Sequence, residues 1–194
     1  MLPTCQTEGS IALLEVFEQQ LYGGHVTIQQ FATEIKIPYL VHFTRATNLP
    51  SILANGIYPV SRANELAQPP SVNDTARLDG HPDAVSTSIA HPNCQMFYKL
   101  RQDHKDTGVE WAVLALHPRI LWTMPCAFCR YNAADARISG QPVADLSGVD
   151  ALRGMFEPLE GHMSRIDQKL RTYDTTDVQA EVMNRPGFRG GRLV

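Results

Sequence analysis

The first hydrophobic pattern along the chain has the spacing of a helix. Apolar residues recur every three or four positions within residues 10–21, which predicts an amphipathic helix there. Thr27 is followed three residues later by Gln30, and this pair has the form of a capping box. We therefore predict a second, shorter helix over residues 28–35, ended by Pro38.

Beyond residue 38, short predicted strands and short predicted helices follow one another. Strands are predicted where β-branched and aromatic residues concentrate, and helices where apolar residues recur at three- and four-residue spacing. The run at 111–116 is apolar throughout, so it is expected to be a buried strand. The two kinds of element do not alternate regularly, which favours an α+β fold over a doubly wound parallel sheet. The predicted strands are 39–44, 84–89, 111–116 and 178–183, and the predicted helices are 49–55, 92–101, 150–156 and 162–170.

Two stretches of this second part carry further local signals. Asn48 can cap the start of the helix at 49–55, and Gly56 can close that helix in the left-handed conformation. Residues 62–84 contain several proline, glycine and Asn-Asp turn signals, so they are expected to form a long loop. Long loops inside compact domains are usually functional.

Composition agrees with one folded domain and restricts its partners. The chain has 194 residues, of which 43% are hydrophobic and 19% charged, and these values exclude global disorder and a coiled coil. We expect a domain over residues 39–194, preceded by a helical extension over residues 1–38. The formal net charge is −3, so a nucleic acid would have to be held by a local basic patch. No apolar run could span a bilayer and the first ten residues do not resemble a signal peptide, which predicts a cytoplasmic protein without a membrane partner.

The common motifs of nucleotide-binding and metal enzymes are absent from the sequence. It contains no GxGxxG, no GxxxxGK[ST] and no HExxH. Cys126 and Cys129 form one CxxC, but no second pair of ligands follows at the spacing of a zinc site. We therefore expect these cysteines to be core thiols and the protein to bind no metal.

Polar residues interrupt three of the predicted strands in pairs. Residues two apart on a strand share one face, so each pair is expected to point the same way. A buried polar group without a partner costs about 1–3 kcal/mol, so three such pairs are more economically explained by one shared polar cleft than by chance. The pairs are His42 with Thr44, Ser86 with Ser88, and Gln179 with Glu181.

Four groups of residues occur in a distinctive order. They are His42-Phe43-Thr44 with Asn48-Leu49-Pro50-Ser51-Ile52-Leu53 and Gly56, Asn73-Asp74 with Arg77-Leu78-Asp79-Gly80, Ser86-Thr87-Ser88-Ile89 with Pro92-Asn93 and Met96-Phe97-Tyr98, and Gln179-Ala180-Glu181-Val182. Together they resemble the DarT family of toxins, which attach ADP-ribose from NAD⁺ to a DNA base and are usually encoded beside a macrodomain antitoxin. The resemblance covers about residues 39–183. It implies an ADP-ribosyltransferase-like split β-sheet core with flanking helices.

The resemblance also implies a function. We expect a toxin that moves ADP-ribose from the co-substrate NAD⁺ onto single-stranded DNA, with a macrodomain antitoxin as partner and a role in phage defence. The Asn73-Asp74…Arg77 segment and the CxxC followed by Asn132-Ala133-Ala134 look closer to the guanine-modifying branch than to the thymine-modifying one. The Gln-x-Glu pair does not name the acceptor. Thymine, RNA, a protein side chain, and an inactive module that binds NAD⁺ or nucleic acid therefore stay open as alternatives.

Catalytic roles follow from the same resemblance. Glu181 is expected to stabilise the oxocarbenium-like ribose that forms when the glycosidic bond of NAD⁺ breaks. The amide of Gln179 is expected to orient the incoming base. Arg77 would clamp the pyrophosphate or ease deprotonation of the base. The plain structural readings are a salt-bridged Glu181 at an exposed strand end and a solvated Arg77 in its loop.

Binding roles are implied for further residues. The cofactor-binding set would hold the adenosine ribose and the nicotinamide side of NAD⁺, and the DNA-binding set would contact the base edge or the backbone. Asn48 would otherwise be only a helix cap, and the Asn-Asp pair only an Asx turn. The cofactor set is His42, Thr44, Asn48, Arg77, Ser86 and Ser88, and the DNA set is Asn73, Asp74, Lys99 and Arg101.

Overall fold

The computed structural model of the protein describes residues 26–73 and 78–185. The predicted helix over residues 10–21 lies outside these ranges, as do Asp74 and Arg77. The strands are β1 (Leu40–Arg45), β2 (Val85–Ile89), β3 (Trp111–Leu116), β4 (Cys126–Cys129) and β5 (Glu181–Asn184). The helices are α1 (Ile28–Glu34), α2 (Leu49–Asn55), α3 (Cys94–Asp103), α4 (Ile120–Thr123), α5 (Ala136–Ser139) and α6 (Gly148–Gly154), with 3₁₀ turns at Ala46–Asn48 and Val60–Glu65.

The five strands form one antiparallel sheet in the order β3-β1-β2-β5-β4. This mixture of sheet and helices confirms the predicted α+β class and agrees with an ADP-ribosyltransferase-like fold. The ladder between β1 and β2 contains two residue pairs, Leu40 with Ile89 and Val41 with Ser88. Beyond them the two strands separate, whereas β1 pairs with β3 along its whole length. The sheet is therefore split near its middle.

The start of α1 is formed as its sequence predicts. The Thr27 hydroxyl accepts a hydrogen bond from the Gln30 backbone N–H (3.1 Å), and the Gln30 side chain accepts one from the Thr27 N–H (2.8 Å). This capping box satisfies two backbone donors that the helix leaves unpaired. The helix ends at Glu34, before Pro38, because the chain reverses at Lys36 in a left-handed conformation (φ 61°).

The strand that carries Glu181 is buried on both faces. On one side α1, α4 and α6 enclose the main core, in which Leu152 is fully buried and Phe128 and Val182 pair across β4 and β5. On the other side Met183 packs in a smaller apolar cluster with residues of β4 and α5. All four residues of β5 are buried, so this strand is a rigid support for any side chain that it presents.

Strand β3 is not the buried strand that its apolar sequence predicts. It lies at the edge of the sheet, and Leu116 is its one buried residue, while 52% of Val113 is exposed. An apolar run is compatible with a strand at either position, because the partners on each face are set by the tertiary structure.

Residues 162–170 contain turns in place of the predicted helix. The apolar residues Met163 and Ile166 are 66% and 88% exposed, so a helix here would bury no apolar face. The Ser164 hydroxyl donates to the Asp167 carboxylate (2.6 Å) and accepts from the Asp167 N–H (3.1 Å), and these bonds hold a local turn.

Several predicted boundaries are also shifted. The final strand begins at Glu181 and not at Val178, because hydrogen bonds to Asp177 hold residues 178–180 in a turn. The helices predicted at 92–101 and 150–156 are α3 and α6, each displaced by two residues. The long loop predicted over residues 62–84 begins within the 3₁₀ turn at Val60–Glu65.

Candidate active site

A cavity of about 540 Å³ lies where β1 and β2 separate. Its wall is built from both strands, from α2 and α3, from the long loop and from the first residue of β5. The sheet split thus gathers residues that are far apart in the sequence. The predicted site residues that line it are His42, Thr44, Asn48, Asn73, Ser86, Ser88, Lys99 and Glu181.

Glu181 is a buried carboxylate at this wall. It is only 6% exposed, which excludes the reading of an exposed strand-end glutamate. Its Oε1 accepts hydrogen bonds from the side-chain amides of Asn93 and Asn132, each at 3.2 Å, and its Oε2 accepts one from the Ala133 backbone N–H at 3.2 Å. Three N–H groups from two different segments therefore orient the carboxylate at the cavity.

Sequence reasoning assigned no role to Asn93 or Asn132, although both line the cavity. Asn93 is 1% exposed and caps the start of α3, where its Oδ1 accepts from the Met96 N–H (3.1 Å). The cap was the signal available in the sequence, but a cap alone does not predict a second contact with Glu181. Asn132 belongs to the segment after β4, and the sequence pattern does not indicate that this segment returns to the cavity.

His42 projects from β1 and bridges the split. Its Nδ1 lies 3.0 Å from the Ser86 carbonyl oxygen of β2. A carbonyl oxygen only accepts, so Nδ1 carries the proton and Nε2 of the neutral ring is an acceptor. Burial lowers the pKa of His42 from its ordinary value of 6.5, although the bond to Ser86 opposes this shift. The ring is therefore neutral near pH 7 and can accept a hydrogen bond from a hydroxyl.

This burial predicts a pH-dependent stability. Because the pKa of His42 is lower in the folded chain than the ordinary 6.5, the unfolded chain binds a proton more readily as the pH falls below that value. We expect the free energy of unfolding to decrease below pH 6.5 and to be restored above it. His42→Gln should lose less stability over the same interval. Urea unfolding of both proteins at about pH 7.5 and about pH 5.5 measures the difference, and equal losses would contradict it.

Asn48 does not cap α2 as predicted. It has a helical conformation and makes no side-chain cap, because the 3₁₀ turn at Ala46–Asn48 runs directly into α2. Its amide instead donates to the Thr44 hydroxyl (2.9 Å) and the Ser71 carbonyl (3.0 Å), and its Oδ1 accepts from the Ser71 N–H (2.9 Å). Asn48 thereby ties β1 to the long loop. Gly56 closes α2 with the expected positive φ (85°), but its ψ of −176° differs from that of the predicted left-handed helical conformation.

Hydroxyl groups of β2 make side-chain contacts with the neighbouring strand β5. The Ser86 hydroxyl lies 3.2 Å from the sulfur of Met183 on β5. Thr87 donates to the Val182 carbonyl (3.2 Å) and accepts from the fully buried Asn184 (2.7 Å). These bonds join β2 to β5, the strand that carries Glu181.

Two predicted site residues lie off the cavity wall. Gln179 precedes β5, so it does not share a strand face with Glu181 as predicted; its N–H donates to the Asp177 carboxylate (2.7 Å). Arg101 lies on α3 beyond Lys99, with its guanidinium 5.7 Å from the centre of the Phe97 ring. Asn73 reaches the wall and accepts from the Arg45 guanidinium (3.2 Å).

The CxxC thiols are packed in strand β4. Cys129 is buried beside Glu181 in the ladder, and Cys126 lies 3.4 Å from the Asn184 side chain. Burial raises the pKa of each thiol to about 12. Within residues 26–73 and 78–185, no group of three or more His, Cys, Asp or Glu side chains is arranged to hold a metal ion.

The described part of the chain also has no helix with the length and apolar character needed to cross a membrane.

The chain matches the model of a known protein family. The family model of DarT, described as ssDNA thymidine ADP-ribosyltransferase, matches residues 41–152. This match includes β2, all of β1 except its first residue, and also Asn93 and Asn132, and it ends before β5. No curated protein matches the chain significantly. Because the matched segment covers more than half of the sequence, the chain belongs to the DarT family of single-stranded-DNA ADP-ribosyltransferases.

Proposed function

We propose that this protein cleaves NAD⁺ in the cavity between β1 and β2 and transfers ADP-ribose to a base of single-stranded DNA, with guanine preferred over thymine. The observation that carries the proposal is the buried carboxylate of Glu181, held by three N–H groups at the wall of a cavity of about 540 Å³. Such a carboxylate suits a reaction in which positive charge develops on a sugar. A cleft of this size suits a small-molecule substrate.

The chemistry of the wall supports the proposed position of NAD⁺. The Nε2 of His42 is an acceptor, and the Thr44 hydroxyl, which accepts from Asn48, keeps its proton to donate. Together they suit the hydroxyls of the adenosine ribose. Ser86 and Ser88 on the facing strand would hold the nicotinamide side, next to Glu181. Asn48 supports this subsite by fixing Thr44 and the long loop.

The reaction then needs one bond to break and one to form. The bond between the ribose C1′ and the nicotinamide nitrogen breaks, and nicotinamide leaves with the electron pair. Glu181 stabilises the positive charge on the ribose. The exocyclic amine of guanine forms the new bond to C1′ and gives up one proton to a general base. We assign this acceptance of the proton to Glu181 as its second role.

The proposed roles of Arg77 and Asp74 are supported by the resemblance alone. Arg77 is proposed to clamp the pyrophosphate or to ease deprotonation of the base, and it lies outside the described residues together with Asp74. Asp74 and Asn73 are proposed to contact the base edge. Gln179 stands two residues before Glu181, and we propose that its amide orients the incoming base. The proposed biological role is a toxin held in check by a macrodomain antitoxin, active in phage defence.

One experiment tests the reaction itself. The protein is incubated with NAD⁺ labelled in its adenylate part and, separately, with single-stranded DNA, RNA or a protein mixture. We expect label on DNA and the release of nicotinamide in equal amount. Label on RNA or protein alone would show that DNA is not the acceptor. No label on any acceptor would contradict the proposed function.

The outer surface of α3 is the proposed path of the DNA strand. Tyr98 is 66% exposed and follows Met96 and precedes Lys99, both of which line the cavity. Tyr98 and Arg101 are three residues apart and so share one face of α3. An exposed aromatic ring beside a guanidinium is the combination with which proteins stack single-stranded bases and contact phosphates.

We therefore expect Tyr98→Ala to raise the KM for single-stranded DNA about tenfold, because a stacked base contributes about 1–3 kcal/mol. Arg101→Ala should also raise this KM, because it removes one phosphate contact. The Kd for NAD⁺ should stay unchanged. Arg101→Ala should also reduce the slope of log K against log salt by about 0.7, the value for one phosphate contact on a single strand. Lys36→Ala, which removes a charge after α1, is the control. Equal effects of all three variants would contradict the proposed path.

The preferred base is tested with oligonucleotides that each lack one base. We expect the guanine-free oligonucleotide to take the least label. The proposal is supported by the resemblance of the Asn73-Asp74…Arg77 segment to the guanine branch and by the acceptors O6 and N7 that guanine offers to amide and guanidinium donors. Single strands should be labelled faster than duplexes, because extruding a base costs a few kcal/mol. Full labelling of the guanine-free strand, with loss on the thymine-free strand, would assign thymine instead.

A further inference from the structure

Two asparagines from separate segments converge on the carboxylate of Glu181. We propose that Asn93 and Asn132 are positioning residues, which hold this carboxylate in its ionised form and in one orientation at the cavity. Asn93 stands directly before α3, and Asn132 stands after β4. Each donates its side-chain amide to Oε1 at 3.2 Å. The inference rests on the proposed function, because it takes Glu181 as the group that acts on the ribose of NAD⁺.

The orientation of each amide is fixed by the backbone. The Oδ1 of Asn93 accepts from the Met96 N–H (3.1 Å), and the Oδ1 of Asn132 accepts from the Ala134 N–H (2.9 Å). A backbone N–H can only donate, so the oxygen of each amide must face it and the nitrogen must face Glu181. Neither side chain can turn over without losing a bond. Both asparagines are therefore committed donors to the carboxylate.

Donors held in this way favour the ionised carboxylate over the protonated one. They also remove the rotational freedom that a glutamate side chain would otherwise have in an open cleft. A group that acts on developing charge must be in place before the charge forms, since reorganisation during the reaction would cost part of the stabilisation. Loss of either donor should therefore lower the rate of the chemical step more than it weakens the binding of NAD⁺.

The chain allows this role to be separated from the local turns. Asn93→Ser keeps an oxygen that can cap α3, and Asn132→Ser keeps an oxygen that can accept from Ala134, but both lose the amide donor. Asn93→Asp and Asn132→Asp keep the same acceptors and add a negative charge beside Glu181. Asn64→Ser, at an exposed position of the 3₁₀ turn at Val60–Glu65, is the matched control.

Other titratable groups share the surroundings of Glu181. They come from β1, from the segment after α2, from the long loop, from α3 and from β4, and all are unchanged in these variants. A difference between variants therefore reports the substituted position. These groups are His42, Tyr58, Asp79, Lys99 and Cys129.

Transfer is measured first, from labelled NAD⁺ to single-stranded DNA. We expect kcat to fall about tenfold or more in each serine variant, as the loss of one hydrogen bond to a charged group predicts. The Kd for NAD⁺ should remain near that of the wild type and of Asn64→Ser, whereas the melting temperature should fall modestly, because a buried carboxylate loses one hydrogen bond. In the aspartate variants, the acidic limb of the pH–rate profile should move to higher pH, because the added charge disfavours ionisation of Glu181. Serine variants with unchanged kcat, or aspartate variants with an unmoved limb, would overturn the proposal.

A second measurement does not depend on activity. The side-chain carboxyl carbons of glutamate are labelled with ¹³C, and the Glu181 signal is identified by its loss in Glu181→Gln. We expect the pKa read from this signal to rise in each serine variant and to rise further in each aspartate variant. If the wild-type protein transfers no ADP-ribose but these shifts occur, the proposed function fails and the positioning stands. If transfer occurs without the shifts, the positioning fails and the proposed function stands.

Discussion

Glu181→Gln is expected to reduce transfer of ADP-ribose to single-stranded DNA by about 10²–10³-fold or more, because the neutral amide cannot stabilise positive charge on the ribose. The binding of NAD⁺ should be largely retained, since the carboxylate acts on charge that exists only in the transition state. The measurement is the initial rate of labelling with saturating labelled NAD⁺, beside the Kd for NAD⁺ from calorimetry. In cells, the same substitution should abolish toxicity.

The matched control is Glu157→Gln, which makes the same change in a glutamate that is exposed and paired with Arg130. Its rate should equal that of the wild type. Glu181→Gln is also expected to lower the stability of the fold, which the substitution of a surface glutamate would not do. The amide NH₂ of a glutamine at 181 must face at least one of the three N–H groups that now donate to the carboxylate, so at least one hydrogen bond is lost. Near-normal transfer by Glu181→Gln would remove Glu181 from the mechanism.

Phe128→Ala is expected to lower the free energy of unfolding by about 3–5 kcal/mol, since it leaves a large cavity in a packed core. Phe128 is 2% exposed and pairs with Val182 across β4 and β5, directly beside the residue pair that contains Glu181. The loss should appear as a lower urea midpoint with an unchanged m-value. Transfer measured well below the midpoint should fall less than in Glu181→Gln, because the carboxylate and its donors remain.

Val113→Ala serves as the control within the same sheet. Val113 lies on the edge strand β3 and is 52% exposed, so its substitution should change the free energy of unfolding by about 0.5 kcal/mol or less. If the two variants were equally destabilised, the assignment of the core to the β4–β5 side of the sheet would be wrong. If both were neutral, the cluster around Phe128 would not be a core.

Local patterns determined those elements whose signals lie within a few residues. The capping box of Thr27 and Gln30 set the start of α1, and the β-branched and aromatic run set β1. Local patterns gave wrong predictions where the structure of a segment depends on whether other parts of the chain cover its apolar residues. Residues 162–170 have helical spacing, but Met163 and Ile166 are exposed and the segment forms turns. Residues 111–116 are apolar, but the edge position leaves half of Val113 exposed.

The site divides in the same way. The polar residues on β1 and β2 and Glu181 were predicted to meet, and they line one cavity. Gln179 was predicted to share a strand face with Glu181. It lies instead in the turn held by Asp177, before β5 begins. The alternation of polar and apolar residues could not indicate where β5 starts. That start is set by the hydrogen bond between the Asp177 carboxylate and the Gln179 backbone N–H.

The sequence by itself determined the fold class, the family and the residue types of the candidate site. These follow from short-range periodicity and from motifs in a fixed order, which the chain carries without reference to its partners in space. The tertiary structure decided the split between β1 and β2, the orientation of Glu181 by Asn93 and Asn132, and the use of Asn48 as a brace rather than a cap. Each of these depends on contacts between residues far apart in the chain, and an asparagine has the same local pattern whether its amide meets solvent or a buried carboxylate.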